Sequence, residues 1–235
     1  MYNTKLNKME NENIIHEAIK ELTSDQRLRL YLLKEYGREA ADAYKFITEK
    51  APEAPVKPQT PRPDGVYYIY PDGTSELFDY RLQNLPQKDV ARIGVVMGQH
   101  SLAVNLHDFD SCSLTNKKDD TEYNGYITEH NDAVADWNGR SNTEHILEIG
   151  TNIVLDENEW IPSVAELYLI YLNKRSINAA IYYSGGSRIK DGWYWSSTEL
   201  SATYAWRLTL GVGGLSGWSV KVQHSGYVRA VAAFD

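Results

Sequence analysis

Residues 192–234 read GWYWSSTELSATYAWRLTLGVGGLSGWSVKVQHSGYVRAVAAF. Six large rings, Trp193, Trp195, Trp206, Trp218, Tyr227 and Phe234, form an aromatic scaffold between small and chemically unrelated side chains. Trp206-Arg207-Leu208-Thr209-Leu210 alternates, so a strand here turns Trp206, Leu208 and Leu210 toward a core and Arg207 and Thr209 away from it. Gly211, Gly213, Gly214 and Gly217 then make the following connection permissive in φ. A frame that buries rings while its loops keep no consistent chemistry suits a scaffold that presents a surface. One ambiguity stands inside the stretch: Trp218, Val220 and Val222 share a strand face, which is either a second core stripe or part of the display.

Working outward, the chain has 235 residues with 42% hydrophobic content, enough for one large domain and a small appendage. Seventeen Tyr and six Trp favour recognition, because amphipathic rings add contact area at low entropic cost. The formal charge is −8 and the basic residues are scattered, which argues against nucleic acid as a partner. A single cysteine, Cys112, has no disulfide partner within the chain. The first residues lack the apolar core of a secretory signal, and no apolar run is long enough to insert in a membrane. Action outside a cell is then expected through release or packaging into a particle.

Residues 8–50 have helical spacing, with Ile15, Ile19 and Leu22, then Leu28, Tyr31 and Leu32. This segment, 1–50, is expected to oligomerise the chain, attach it to a larger partner, or pack on the main domain. Residues 51–64 hold most of the chain's eight prolines and are expected to form a semi-rigid linker. Residues 65–235 form the expected binding domain, with a variable region at about 193–234. It begins with a hairpin around Pro71-Asp72-Gly73 and strands at 90–97 and 102–106. Helices follow at 131–137 and 143–149, and a longer one starts at the N-cap Ser163, with Glu166 completing a capping box. The order strands, helices, strands predicts an α+β domain.

The segments WIPSVAELYLIYLNKRSINAAI (160–181), GWYWSSTE (192–199) and YVRAVAAF (227–234), with ADWNGRSNTEHIL (135–147), carry a resemblance. Together they resemble the C-terminal domain of variable proteins made by diversity-generating retroelements, of the gut Bacteroidales and phage-borne type. The resemblance implies a C-type-lectin-like fold of the formylglycine-generating-enzyme subclass, preceded here by the helical segment and the linker. It also implies a ligand-binding surface rewritten by adenine-directed mutagenesis, as in a phage receptor-binding protein on a virion or an extracellular surface. Substitution of the adenines of Asn codons reaches every residue type except Lys, Glu, Gln, Met and Trp. In the window 200–226 those excluded types occur as Trp206, Trp218, Lys221 and Gln223.

On that pattern the expected ligand-contacting, diversified positions are Leu200, Ala202, Thr203, Tyr204, Arg207, Thr209, Gly211, Val212, Gly214, Ser216, Gly217, Ser219, Val220, Val222, His224 and Gly226. Tyr204, Arg207, Trp218 and His224 are the large members, and residues of these kinds favour a protein ligand or a receptor on a cell surface. The signatures of calcium-dependent sugar binding do not occur. The carboxylate clusters Asp108-Phe109-Asp110 and Asp119-Asp120-Thr121-Glu122 read as solvated loops, and their spacing matches no calcium loop. His100, His107, His130 and His145 are too dispersed to read as a zinc site, so no metal and no cofactor are expected. The related formylglycine-generating enzymes depend on a cysteine pair. Cys112 stands alone, and the expectation is a chain without enzymatic activity. The rival reading is an invariant structural or adhesin module of a phage or cell-surface assembly.

Overall fold

The computed structural model describes residues 62–234. The helical segment expected over 1–50 and nearly all of the linker expected over 51–64 lie outside the described residues. Within them the order is β1 Gly65–Ile69, β2 Ser75–Phe78, β3 Arg92–Met97, β4 His100–Asn105, β5 Phe109–Cys112, α1 His130–Val134, α2 Gly139–Ile149, β6 Glu159–Trp160, α3 Val164–Tyr183, β7 Trp193–Glu199, β8 Tyr204–Thr209, β9 Leu215–Val220, β10 Gly226–Val228 and β11 Val231–Ala232. A six-stranded sheet has the order β2-β1-β3-β4-β11-β6, and a five-stranded sheet the order β5-β10-β7-β8-β9.

The α+β, C-type-lectin-like expectation is corrected by this arrangement. Eleven strands in two sheets dominate the described residues, with only three helices between them. The strands do not segregate as their order in sequence suggested. β11, near the C-terminus, pairs with β4 and β6 inside the first sheet, and β10 pairs with β5 on one side and β7 on the other. Strands as short as Glu159–Trp160 and Val231–Ala232 carry too few residues for alternation to reveal them.

The hairpin and the long helix follow local chemistry. β1 and β2 pair antiparallel across the Pro71-Asp72-Gly73 turn, where Asp72 Oδ1 accepts the Thr74 N–H at 3.0 Å. Ser163 and Glu166 form the expected capping box at the start of α3. Val164 through Tyr171 are buried without interruption, so the first turns of α3 are covered around their whole circumference and are apolar apart from the capping Glu166. That pattern belongs to a core helix, and α3 accordingly contacts β1 and β3 of one sheet and β7 and β8 of the other.

Buried polar groups join the layers. Arg229, fully buried, donates from Nε to Asp108 Oδ1 at 2.7 Å, from Nη1 to the Asn105 carbonyl at 2.9 Å and from Nη2 to the Ser187 carbonyl at 2.8 Å. Glu166 Oε2 accepts from Trp160 Nε1 at 3.0 Å and from the Ser163 N–H at 2.8 Å. Complete burial pushes the Glu166 carboxyl up to about 8, with the nearby Asp136 adding to the rise. Asp136 itself accepts from Thr198 Oγ1 and Asn142 Nδ2, each at 2.7 Å, which ties β7 to α2.

Candidate functional site

Strands β7, β8 and β9 carry most of the expected contact positions, and their two ends differ in chemistry. At the Glu199 end the sheet is locked. Lys221, directly after β9, donates from Nζ to Glu199 Oε1 and lies 3.9 Å from Asp119 Oδ2. His145 Nδ1 is 2.5 Å from Glu199 Oε2, and its ring stacks on Tyr123 at 3.6 Å between centroids. Tyr126 donates to Asp119 Oδ2, and Thr121 donates to Asp119 Oδ1 at 2.7 Å. Burial alone would raise the Asp119 carboxyl, but the bonds from Tyr126 and Thr121 and the Lys221 charge hold it below the ordinary aspartate range. Burial and the bond to Asp119 push the Tyr126 phenol well above its ordinary value.

Two expectations are corrected here. Asp108 and Asp119 are buried network members, with side chains 4% and 0% exposed, not residues of solvated loops. The sequence reading missed this network because its partners, at 119, 145, 199 and 221, come together only through tertiary folding. The available signal was a lysine on the inward parity of β9, in line with Gly217 and Ser219. Asp119, His145 and Glu199 each offer one ligand atom, all within 4.8 Å of one another, and so could contribute to a cation site. The Lys221 ammonium already bonds to Glu199 and supplies positive charge there.

At the other end the sheet is open. Trp193 pairs with Thr209, and Trp195 with Arg207, across β7 and β8; Arg207 pairs with Ser216 across β8 and β9. The Arg207 guanidinium carbon lies 5.3 Å from the Trp193 ring centroid and 4.9 Å from that of Trp195. Its Nε donates to Ser219 Oγ at 2.6 Å and its Nη1 to the Ser225 carbonyl at 3.0 Å. Burial lowers the Arg207 pKa from its ordinary value, and a guanidinium still stays charged. Among the described residues no carboxylate pairs with it. A cation held against two indoles and bonded to the Ser219 hydroxyl and the Ser225 carbonyl is a chemistry suited to recognition.

The expected contact positions do not form one plane. A register shift between Ala205 and Arg207 leaves Ala205, Arg207, Ser216 and Ser219 on one face of the hairpin. Tyr204 pairs with Val220 on the opposite face, where its ring meets Trp218 edge-on at 5.5 Å. Gly211, Val212 and His224 are exposed. Leu200, Ala202, Thr203, Tyr204, Arg207, Thr209, Gly214, Ser216, Val220 and Val222 are half-buried. Trp218 and Val220 thus share the face of β9 opposite Gly217 and Ser219, and Val222 lies in the turn beyond the strand.

Gly217, Ser219 and Gly226 are corrected, for all three are buried. A Cβ on Gly217 would sit 2.6 Å from Leu200 Cδ1 and 2.9 Å from the Trp206 ring; one on Gly226 would sit 3.0 Å from the Trp195 indole. The Ser219 hydroxyl is spent on Arg207. His224 acts locally, its Nδ1 accepting the Val220 N–H at 2.8 Å. The scaffold is corrected as well. Trp195, Trp206 and Phe234 are buried, Tyr227 is half-buried, but Trp193 is 39% and Trp218 73% exposed. Trp218 lies on the edge strand β9, and Trp193 at the start of β7, where its ring faces the Arg207 guanidinium.

No protein-family model matches the sequence, and a comparison with curated proteins finds no match. Among solved structures the chain is similar to a fimbrial protein from Bacteroides ovatus ATCC 8483, at 16% identity and a TM-score of 0.43. The similarity covers 66% of this chain and 38% of that one, so the chain spans well under half the length of that protein. Among the described residues no helix is long and apolar enough to cross a membrane.

Proposed function

We propose that the chain is a non-enzymatic, adhesin-type binding protein, acting on a phage virion or an extracellular surface, whose β7–β9 surface is rewritten by retroelement-directed substitution. The ligand is a protein or receptor on a cell surface, reached by Arg207, Thr209, Val212 and Ser216 on one side and Tyr204 and Val220 on the other. The observation that carries this reading is the division of one short stretch into an interlocked part and a tolerant part. Trp195, Trp206 and Lys221 are buried and hydrogen-bonded to other elements, whereas Arg207, Thr209, Val212 and Ser216 reach solvent. Absence of catalysis rests on Cys112, the chain's one cysteine, whose thiol is pushed up by burial and so is a poorer nucleophile. The residues before 62 would attach the domain or multiply its sites, which raises avidity without new contacts.

Sequencing many copies of the gene from one population tests the reading. The expected result is divergence at Arg207, Thr209, Val212 and Ser216 with constancy at Trp206 and Lys221, beside a reverse transcriptase gene and a near-copy differing at adenines. Equal constancy at Arg207 and Trp206 would reject it. The second reading, an invariant structural or adhesin module, is favoured by one feature. Trp218 and Gln223 are exposed, yet belong to residue types that adenine substitution of Asn codons does not produce.

A further inference from the structure

Arg207 is a half-buried cation with which no carboxylate among the described residues pairs. Three other cations drawn into the body of this domain each have an anion: Arg229 has Asp108, Lys221 has Glu199, and Arg92 has Glu159 at 2.7 Å. Arg207 instead bonds to a hydroxyl and a carbonyl, and among the described residues its Nη2 has no hydrogen-bond partner. Its lowered pKa has burial as the cause, with no contribution from a carboxylate. The two bonds and two indoles fix the direction of the side chain while leaving the terminal edge of the fork, Nη1 and Nη2, to donate. That edge matches a carboxylate, which accepts two parallel N–H bonds. In a chain of net charge −8, an oriented and uncompensated guanidinium is a locally inverted electrostatic feature.

We propose that Arg207 is the specificity-determining residue of a carboxylate subsite that takes an aspartate or glutamate side chain of a protein ligand. The inference rests on the binding reading above and narrows it to a ligand chemistry. An acidic peptide is favoured over an acidic sugar because the guanidinium already lies against the Trp193 ring, the exposed indole on which a pyranose would stack. Val212, 75% exposed at the tip of the same hairpin, supplies an apolar contact for another residue of the ligand. Ser216 and Thr209 are small, so the fork is reached without displacing a side chain.

The test is a proton–nitrogen NMR titration of the full chain with a blocked Leu-Glu-Leu peptide, a Leu-Gln-Leu control and oligogalacturonate. The expected result is a saturable shift of the Arg207 Nε–H and Trp193 indole signals with Leu-Glu-Leu alone. Affinity should fall about tenfold or more in Arg207→Gln, fall less in Arg207→Lys, which keeps the charge but not the fork, and weaken as salt rises. Unchanged thermal unfolding in both variants shows that the loss lies at the site. Absence of any shift, an equal shift with Leu-Gln-Leu, or binding that survives Arg207→Gln overturns the proposal. Stronger binding of oligogalacturonate at the same signals overturns the peptide as occupant. Failure here with divergence at position 207 among gene copies removes the ligand chemistry only. A positive titration with an invariant position 207 removes only the retroelement reading.

Discussion

The two ends of the β7–β8–β9 sheet handle charge in opposite ways. Near Glu199, two carboxylates, an ammonium and an imidazole are buried together and spend their bonding capacity on one another. Some strand positions away, Arg207 is oriented as firmly but keeps donors in reserve. Desolvating a charge is costly unless a partner compensates, so the first end tolerates no loss of a member. The second end is only half-desolvated and can wait for its partner to come from another molecule. The contrast teaches that tolerance to substitution follows how completely a charge is buried and paired, not its place in a stretch of sequence.

The largest expected effect lies at the locked end. Lys221→Ala strips Glu199 and Asp119 of their cation and should cost about 3–5 kcal/mol in chemical denaturation, as a broken buried pair does. Trp206→Ala should cost a similar ~3–5 kcal/mol, since Trp206 is 6% exposed and its Nε1 donates to the Ile127 carbonyl at 2.8 Å. The same change at Trp218 should cost under about 1 kcal/mol, because an exposed ring has little burial to lose. Equal costs at the two tryptophans would break the comparison.

A pH effect of the next size comes from Glu166. Its folded pKa of about 8 lies above the ordinary glutamate value of 4.5, so the native state holds a proton that the unfolded chain releases. Its contribution to stability is therefore complete below about pH 4.5 and is lost as pH rises through about 8, at roughly 1.4 kcal/mol per pH unit in between. Glu166→Gln should flatten that slope in denaturation curves measured across the window. An unchanged slope would assign the titration elsewhere.

Gly213→Ala should cost about 1–3 kcal/mol, for its φ is +72° and an added Cβ would lie 2.7 Å from the Tyr171 ring. The smallest effects belong to Thr209→Ala, Val212→Ser and Ser216→Ala, each expected within about 0.5 kcal/mol of the parent. A cost above about 1 kcal/mol at any of these three would move that position from the open end to the frame.

Much of the local structure was readable in particular residues. Ser163 with Glu166 announced the start of α3, Pro71-Asp72-Gly73 announced the first hairpin, and Trp206-Arg207-Leu208-Thr209 gave the correct inward and outward sides of β8. Ser219 and Gly217 were misread as display positions because smallness is ambiguous. A small residue marks either a replaceable surface or a place where another group has no room for more. Trp218 was misread in the opposite direction, since a large ring is a core residue only if a second layer covers it.

Alone, the sequence determined local features: where the first hairpin turns, which helix is capped, which side of Trp206-Arg207-Leu208-Thr209 turns inward, and that large rings alternate with small side chains near the C-terminal end. These are properties of neighbours along the chain, set by local sterics and hydrogen bonding. Only the tertiary structure decided that, among the described residues, eleven strands make two sheets, Lys221 and Glu199 neutralise each other, and no carboxylate pairs with Arg207. Charge compensation and burial depend on groups distant in sequence. They come into being when the layers close.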